Sequence, residues 1–135
     1  MNGICFILRA VPGAGKSTLA KQLAGGYGVI CEADEFMLDK DGNYNFSPTR
    51  LGYCHAKCFD KFTNAIETKQ SPVIQSNTNI KNQDISKYKS FAEEHGYTVF
   101  VITVENHHNN SSVHDVPEEK RIEMANILMR NIKLV

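Results

Sequence analysis

The sequence predicts an α/β domain built on a four-stranded parallel sheet with helices on both faces. Three observations carry that expectation. The apolar runs in "GICFILR", "GVICEAD", "SPVIQS" and "YTVFVITV" are short and continuous rather than alternating, as in strands covered on both sides. Segments of helical period separate them. A glycine-rich turn, "AVPGAG", joins the first run to the first helix. Strands alternating with helices favour parallel pairing through right-handed crossovers. The chain of 135 residues is read as a single domain, 1–135, without repeats or linkers.

Each element has its own signal. "KSTLAKQLAGG" reads as the first helix, stopped by glycine. After the second strand, Asp41-Gly42 in "DKDGNYNF" marks a small hairpin. "SPTRLGYCHAKCFDKFTNAIETKQ" offers Ser47 as N-cap and Pro48 at the first helical position. Leu51, Cys54, Cys58, Phe62 and Ile66 then keep helical spacing. In "NQDISKYKSFAEEHG", Ile85, Tyr88 and Ala92 share a face and Gly96 ends the helix. "VPEEKRIEMANILMRNI" starts on Pro117 and is expected to bury Ile122, Ala125, Met129 and Ile132. The polar stretch 105–115, "ENHHNNSSVHD", lacks the apolar residues of a packed core and reads as a lid loop.

Composition narrows the function classes. Fifteen basic side chains balance fifteen acidic ones, so no global basic field announces a nucleic-acid partner. Any such contact is confined to one groove. The apolar runs are too short to span a bilayer. The first is broken by Arg9 and the glycine turn, unlike a signal peptide, and Met1-Asn2-Gly3 is no myristoylation start. The expectation is a cytoplasmic protein without a membrane partner. Its oligomeric state is not encoded in any pattern. Cys5 and Cys31 lie in strand-like runs, while Cys54 and Cys58 share a helix face beside His55. They read as small buried hydrophobes, with a metal site as the alternative.

The chemistry is concentrated around 10–18. Ala10-Val11-Pro12-Gly13-Ala14-Gly15-Lys16-Ser17 matches the phosphate-loop pattern GxxxxGK followed by Ser or Thr, except that alanine replaces its first glycine. A buried strand precedes the loop and a helix follows. Pro12, Gly13, Ala14 and Gly15 would present backbone N–H groups to an anion at a helix N-terminus. Lys16 would reach the β- and γ-phosphates of ATP, Ser17 would offer its hydroxyl to Mg2+, and Thr18 would contact the α-phosphate.

The acceptor side is less determined. Asp34 follows the second strand, where ligands bind in open parallel sheets. If that strand lies two places from the first, the two loops are roughly 10 Å apart, from a strand spacing of about 4.8 Å. A carboxylate there can orient a hydroxyl and accept its proton, or simply cap a turn. After the third strand, where many phosphate-loop proteins carry an aspartate for Mg2+, stand Ser76, Asn77, Thr78 and Asn79. Asn77 could bond a metal-bound water, and Asn77 or Asn79 could cap the next helix. His107, His108 and His114 could ligate a metal but read better as a solvated loop. Arg50, Lys57 and Lys61 line either a phosphate path or a solvated helix face.

With these residues in view, the chain resembles the small P-loop kinases of the polynucleotide 5′-hydroxyl kinase type. It is similar also to related ATP-binding domains found singly in phages and fused to larger eukaryotic proteins, so a phage-encoded origin is one expectation. The resemblance rests on "VPGAGKSTLAKQL", "ADEF", "DGNYNF", "LGYCHAKC", "PVIQSNTN", "EEHGYTV" and "HDVPEEKRIEM", in that order along nearly the whole chain. It implies a P-loop kinase fold. It further implies transfer of the γ-phosphoryl of ATP, with Mg2+, to the 5′-hydroxyl of an RNA or DNA end. Lys16 and Ser17 would hold phosphate and metal, Asp34 would be the general base, and Asn77 would stand in place of an acceptor-side aspartate. Two departures matter. Met37 occupies the place of an arginine that holds the acceptor phosphate, and Ser111 and Ser112 that of an Arg-Asn pair in the lid. Arg50 is the candidate replacement for the first, and Arg121 or Arg130 for the second. A small-molecule kinase and a non-catalytic ATP-binding module are the alternatives these departures leave open.

Overall fold

A computed structural model describes residues 3–105 and 116–132. Strands β1 (Ile4–Arg9), β2 (Val29–Cys31), β3 (Val73–Gln75) and β4 (Thr98–Thr103) form one sheet in the order β2-β3-β1-β4. Every pairing is parallel, with Cys5 opposite both Val73 and Val99. Helices α1 (Lys16–Ala24), α2 (Leu51–Glu67), α3 (Gln83–Glu94) and α4 (Glu118–Asn131) alternate with the strands. The α/β parallel architecture read from the sequence is the one observed.

Alternation along β1 divides the core. Cys5 and Ile7 face α2 and α3, where Cys54, Cys58, Phe62, Ile66, Ile85, Tyr88 and Ala92 pack around Cys31 and Val73. Leu8 points the other way, to Ala20 and Ala24 of α1 and to Ile74. All four cysteines are buried. Burial pushes the thiols of Cys5 and Cys31 up to about 12, so they behave as small apolar groups. The hairpin after β2 closes through a Leu38–Tyr44 bridge, with the Asp39 carboxylate accepting from the N–H groups of Asp41 and Asn43. Gly25, at φ 61°, ends α1, and its N–H donates to the Lys21 carbonyl. Among the described residues no helix is long and apolar enough to cross a membrane.

Three expectations need correction. Ser47 makes no side-chain cap, and a single 3-10 turn (Pro48–Arg50) precedes α2. Asn79 does not cap α3, whose N-cap is Asn82. Asn79 is instead buried at φ 52°, where its amide donates to the Leu8 carbonyl and exchanges hydrogen bonds with Gln75.

The buried face of α4 is the third. Ile122, Met129 and Ile132 are exposed, whereas Leu128 is buried and Met124, Ala125 and Ile127 are partly so. The reason is placement. This helix packs on the end of β1 and the loops beyond it, against Ala10, Val11, Ala14 and Ile80. Its phase is pinned by Arg9, whose buried guanidinium donates to the carbonyls of Asn79, Ile80 and Asn131 and to Oδ1 of Asn82. Leu128→Ala is therefore expected to lower stability by about 2–5 kcal/mol, as for other buried leucines. Met129→Ala should change it by less than about 0.5 kcal/mol. Urea unfolding of the two variants is the check. Equal losses would return Met129 to the core.

Candidate active site

The loop between β1 and α1 is shaped by its small residues. Gly13 at φ 88° and Gly15 at φ 99° take left-handed conformations that side chains resist. Ala10 and Ala14 are wholly buried and turn their methyls toward Ile80 and Leu128. Alanine at the first position of the motif is thus a core residue. The first turn of α1 carries Lys16, Ser17 and Thr18 and no acid, so its positive end is not countered from within the helix.

The opposite wall comes from β2 and β3. Because β3 lies between them, β2 is two places from β1, the separation the acceptor reading requires. Glu32 continues β2 in extended conformation, and a 3-10 turn (Ala33–Phe36) then carries Asp34. Asn77 fixes this corner. Its Oδ1 accepts from the Ala33 N–H at 2.8 Å, its Nδ2 lies 3.6 Å from the Cys58 sulfur, and its own N–H donates to Gln75 Oε1 at 2.9 Å. The Asn77 side chain therefore holds the backbone immediately before Asp34.

Between these walls is a cleft of about 920 Å³. Pro12, Gly13, Gly15, Lys16, Ser17 and Thr18 line one side, and Asp34 and Asn77 line the other. Burial pushes the Lys16 ammonium below the ordinary lysine range, and the charges of Glu32 and Asp34 partly oppose this. Tyr44 on the same wall is pushed up by burial and by the Asp34 charge. The Ser17 hydroxyl points at Glu32 Oε1, 3.5 Å away. The Ser76 hydroxyl, also on the wall, is buried without a protein partner. Such hard oxygen donors, at the end of a loop built for phosphates, fit Mg2+, which uses one or two protein ligands and takes the rest from phosphates and water.

Ala14, Arg50, Lys57, Lys61, Arg121 and Arg130 are not among the residues lining the cleft. Ala14 is buried behind the loop. Arg50 donates from Nη1 to the Leu38 carbonyl and lies over the Tyr53 ring at 5.2 Å. Arg121 gives way to its neighbour Lys120 on the cleft wall. Arg130 lies in the last turn of α4, donating to the Asn126 carbonyl. Lys61 is paired with Glu35, and Lys57 lies over Tyr53. Met37 is fully buried, its sulfur 3.9 Å from that of Cys54. Residues 106–115, with His107, His108, Ser111, Ser112 and His114, lie outside the described residues. Among those described, no group of three or more His, Cys, Asp or Glu side chains is placed to hold a metal. Sequence reasoning missed Glu32, Tyr44, Phe46 and Lys120 on the wall, and named His55, also there, only beside the cysteines. Only Glu32 carried a signal, as an acid closing a predicted strand.

The family model described as AAA domain matches residues 6–111, most of the chain. The chain belongs to the AAA domain family. Human NEDD4-binding protein 2 is 34% identical to this AAA domain over 98 residues, which are 71% of the chain and 6% of that protein. The domain therefore corresponds to a small part of that relative. Among solved structures, the Pnkp1/Rnl/Hen1 complex matches at 20% identity and a TM-score of 0.60, over 90% of this chain and 38% of that chain. APE1195 matches at 22% identity and a TM-score of 0.56, over 93% and 70%. These likenesses show that the AAA domain shares its α/β fold with those structures.

Proposed function

We propose that this AAA domain transfers the γ-phosphoryl group of ATP, bound with Mg2+, to the 5′-hydroxyl of an RNA or DNA end. The observation that carries the reading is the cleft itself. It brings the phosphate loop and Asp34 into one cavity, on strands separated by the width of a third. Backbone N–H groups at Gly13 and Gly15 and the Lys16 ammonium receive the phosphates. Thr18 contacts the α-phosphate side and Ser17 is positioned to hold the metal. Mg2+, when bound, offsets charge on the β- and γ-phosphate oxygens. Asp34 orients the acceptor hydroxyl and takes its proton as the new O–P bond forms. The bond from Pγ to the β–γ bridging oxygen breaks, and ADP leaves. Asn77 serves this step by holding the Asp34 turn. Lys120, on the cleft wall, is better placed than Arg121 to face the transferring group from α4. Arg50 would have to leave the Leu38 carbonyl to reach an acceptor phosphate. Support also comes from one structural relative, the Pnkp1/Rnl/Hen1 assembly, which is an RNA repair complex.

One observation favours a small-molecule acceptor instead. The buried Met37 stands at the position where the family resemblance places a phosphate-holding arginine, and with Tyr44, Phe46 and Leu51 it gives the cleft an apolar side. A nucleoside or another neutral acceptor needs no arginine there. A panel of acceptors decides between them: γ-labelled ATP and Mg2+ with 5′-hydroxyl RNA, 5′-hydroxyl DNA, nucleosides, or water alone. Label on an oligonucleotide supports the proposal, and label on nucleosides alone replaces it. Nucleotide binding without transfer to any acceptor reduces the domain to an ATP-binding module.

A further inference from the structure

Glu32 has no task in that reaction, yet it lines the cleft. It is partly buried at the end of β2, lines the same wall as Asp34, and places Oε1 3.5 Å from the Ser17 hydroxyl. That distance is long for a hydrogen bond between oxygens, which centres near 2.7–2.8 Å. It is closer to the spacing of two neighbouring ligands on one small ion. With Mg–O bonds of about 2.1 Å, ligands at right angles lie about 3 Å apart. The strand that usually supplies a carboxylate to a phosphate-loop metal ends here in Gln75-Ser76-Asn77, without an acid. Asn77 is occupied with Ala33 and Cys58.

We propose that Glu32 completes the Mg2+ site begun by Ser17, replacing from β2 the carboxylate that β3 lacks. The two acids of "CEAD" then divide the work by direction. Glu32 faces the phosphate loop and holds the metal, whereas Asp34, beyond the bend and beside Tyr44, is left for the acceptor. The Ser76 hydroxyl, buried and without a protein partner, is a further polar group on the same cleft wall. Glu32 also contributes negative charge near Lys16, which opposes ATP when no metal is present. Metal and nucleotide therefore bind with strong mutual dependence.

The inference rests on the nucleotide-binding reading, and its test separates the two. Binding of a non-hydrolysable ATP analogue is measured by calorimetry with Mg2+ and with EDTA, for the wild type, Glu32→Gln and Asp34→Asn. Circular dichroism reports the fold of each. Mg2+ should strengthen wild-type binding. Glu32→Gln should lose at least about tenfold of that gain, as seen when groups supporting a metal are removed. Its metal-free affinity should be equal to or tighter than wild type, because a repelling charge has gone. Asp34→Asn should keep the gain. Glu32→Ala, which leaves no amide behind, must show the same loss, and the spectrum of bound Mn2+ must change in both Glu32 variants. A full Mg2+ gain in folded Glu32 variants overturns the assignment. Failure of the wild type to bind the analogue under either condition overturns the nucleotide reading instead.

Discussion

Asp34→Asn is expected to bind ATP nearly as well as the wild type and to transfer phosphoryl groups to a 5′-hydroxyl about 10²–10⁴ times more slowly, the usual worth of a positioned general base. Asp34 is across the cleft from the phosphate loop, so the nucleotide keeps its cradle. The amide retains the shape of the carboxylate and can still hydrogen-bond the hydroxyl, but it cannot take the proton. The deficit should therefore fall on kcat more than on KM. A residue that only caps the turn behaves differently, because asparagine caps about as well as aspartate. Steady-state kinetics with a 5′-hydroxyl oligonucleotide is the check. Near-normal turnover would make Asp34 structural and leave the base to be found elsewhere.

Lys16→Ala is the second large effect. It should cost about 10²–10³ in transfer, the scale for removing one fixed donor to developing charge. ATP affinity should fall as well, while the fold persists, because the lysine faces the cleft rather than the core. The wild type should show a related pH dependence. Burial disfavours the Lys16 ammonium, so the proton is lost at lower pH than from an ordinary lysine. The phosphates need that charge. Affinity for ATP should decline as pH rises through the lowered pKa, and Lys16→Ala should flatten the decline. Calorimetry across the alkaline range tests both points. Unchanged affinity in a folded variant would remove the phosphate-loop reading.

The parts of the fold that were legible in the sequence are those set by local chemistry. Four continuous apolar runs gave strands, glycines placed the turns, and the loop from Ala10 to Ser17 joined strand to helix as its motif requires. Asp34 was legible because an acid after a parallel strand sits at the ligand end of the sheet. What stayed hidden depends on distant partners. The helical period of α4 was visible, but its phase was not. That phase is chosen by Ala10, Ile80 and the Arg9 guanidinium, far away in sequence. Arg9 itself read as the end of an apolar run and is a buried clamp. Asn79 looked like a helix cap because such residues favour caps, whereas a buried Gln75 amide and the Leu8 carbonyl claim it. Arg50 and Arg121 were named for their charge alone, and local packing directs Arg50 to Leu38 and Tyr53 and places Lys120 on the wall.

The proposed acceptor is a strand's 5′-hydroxyl. The most direct measurement is single-turnover transfer from γ-labelled ATP and Mg2+ to a 5′-hydroxyl oligonucleotide, run beside the same strand already bearing a 5′-phosphate. Label should enter the first strand, be released by a phosphatase that removes terminal phosphates, and be absent from the second. Label on both strands, or its appearance only as free phosphate, would contradict the assignment.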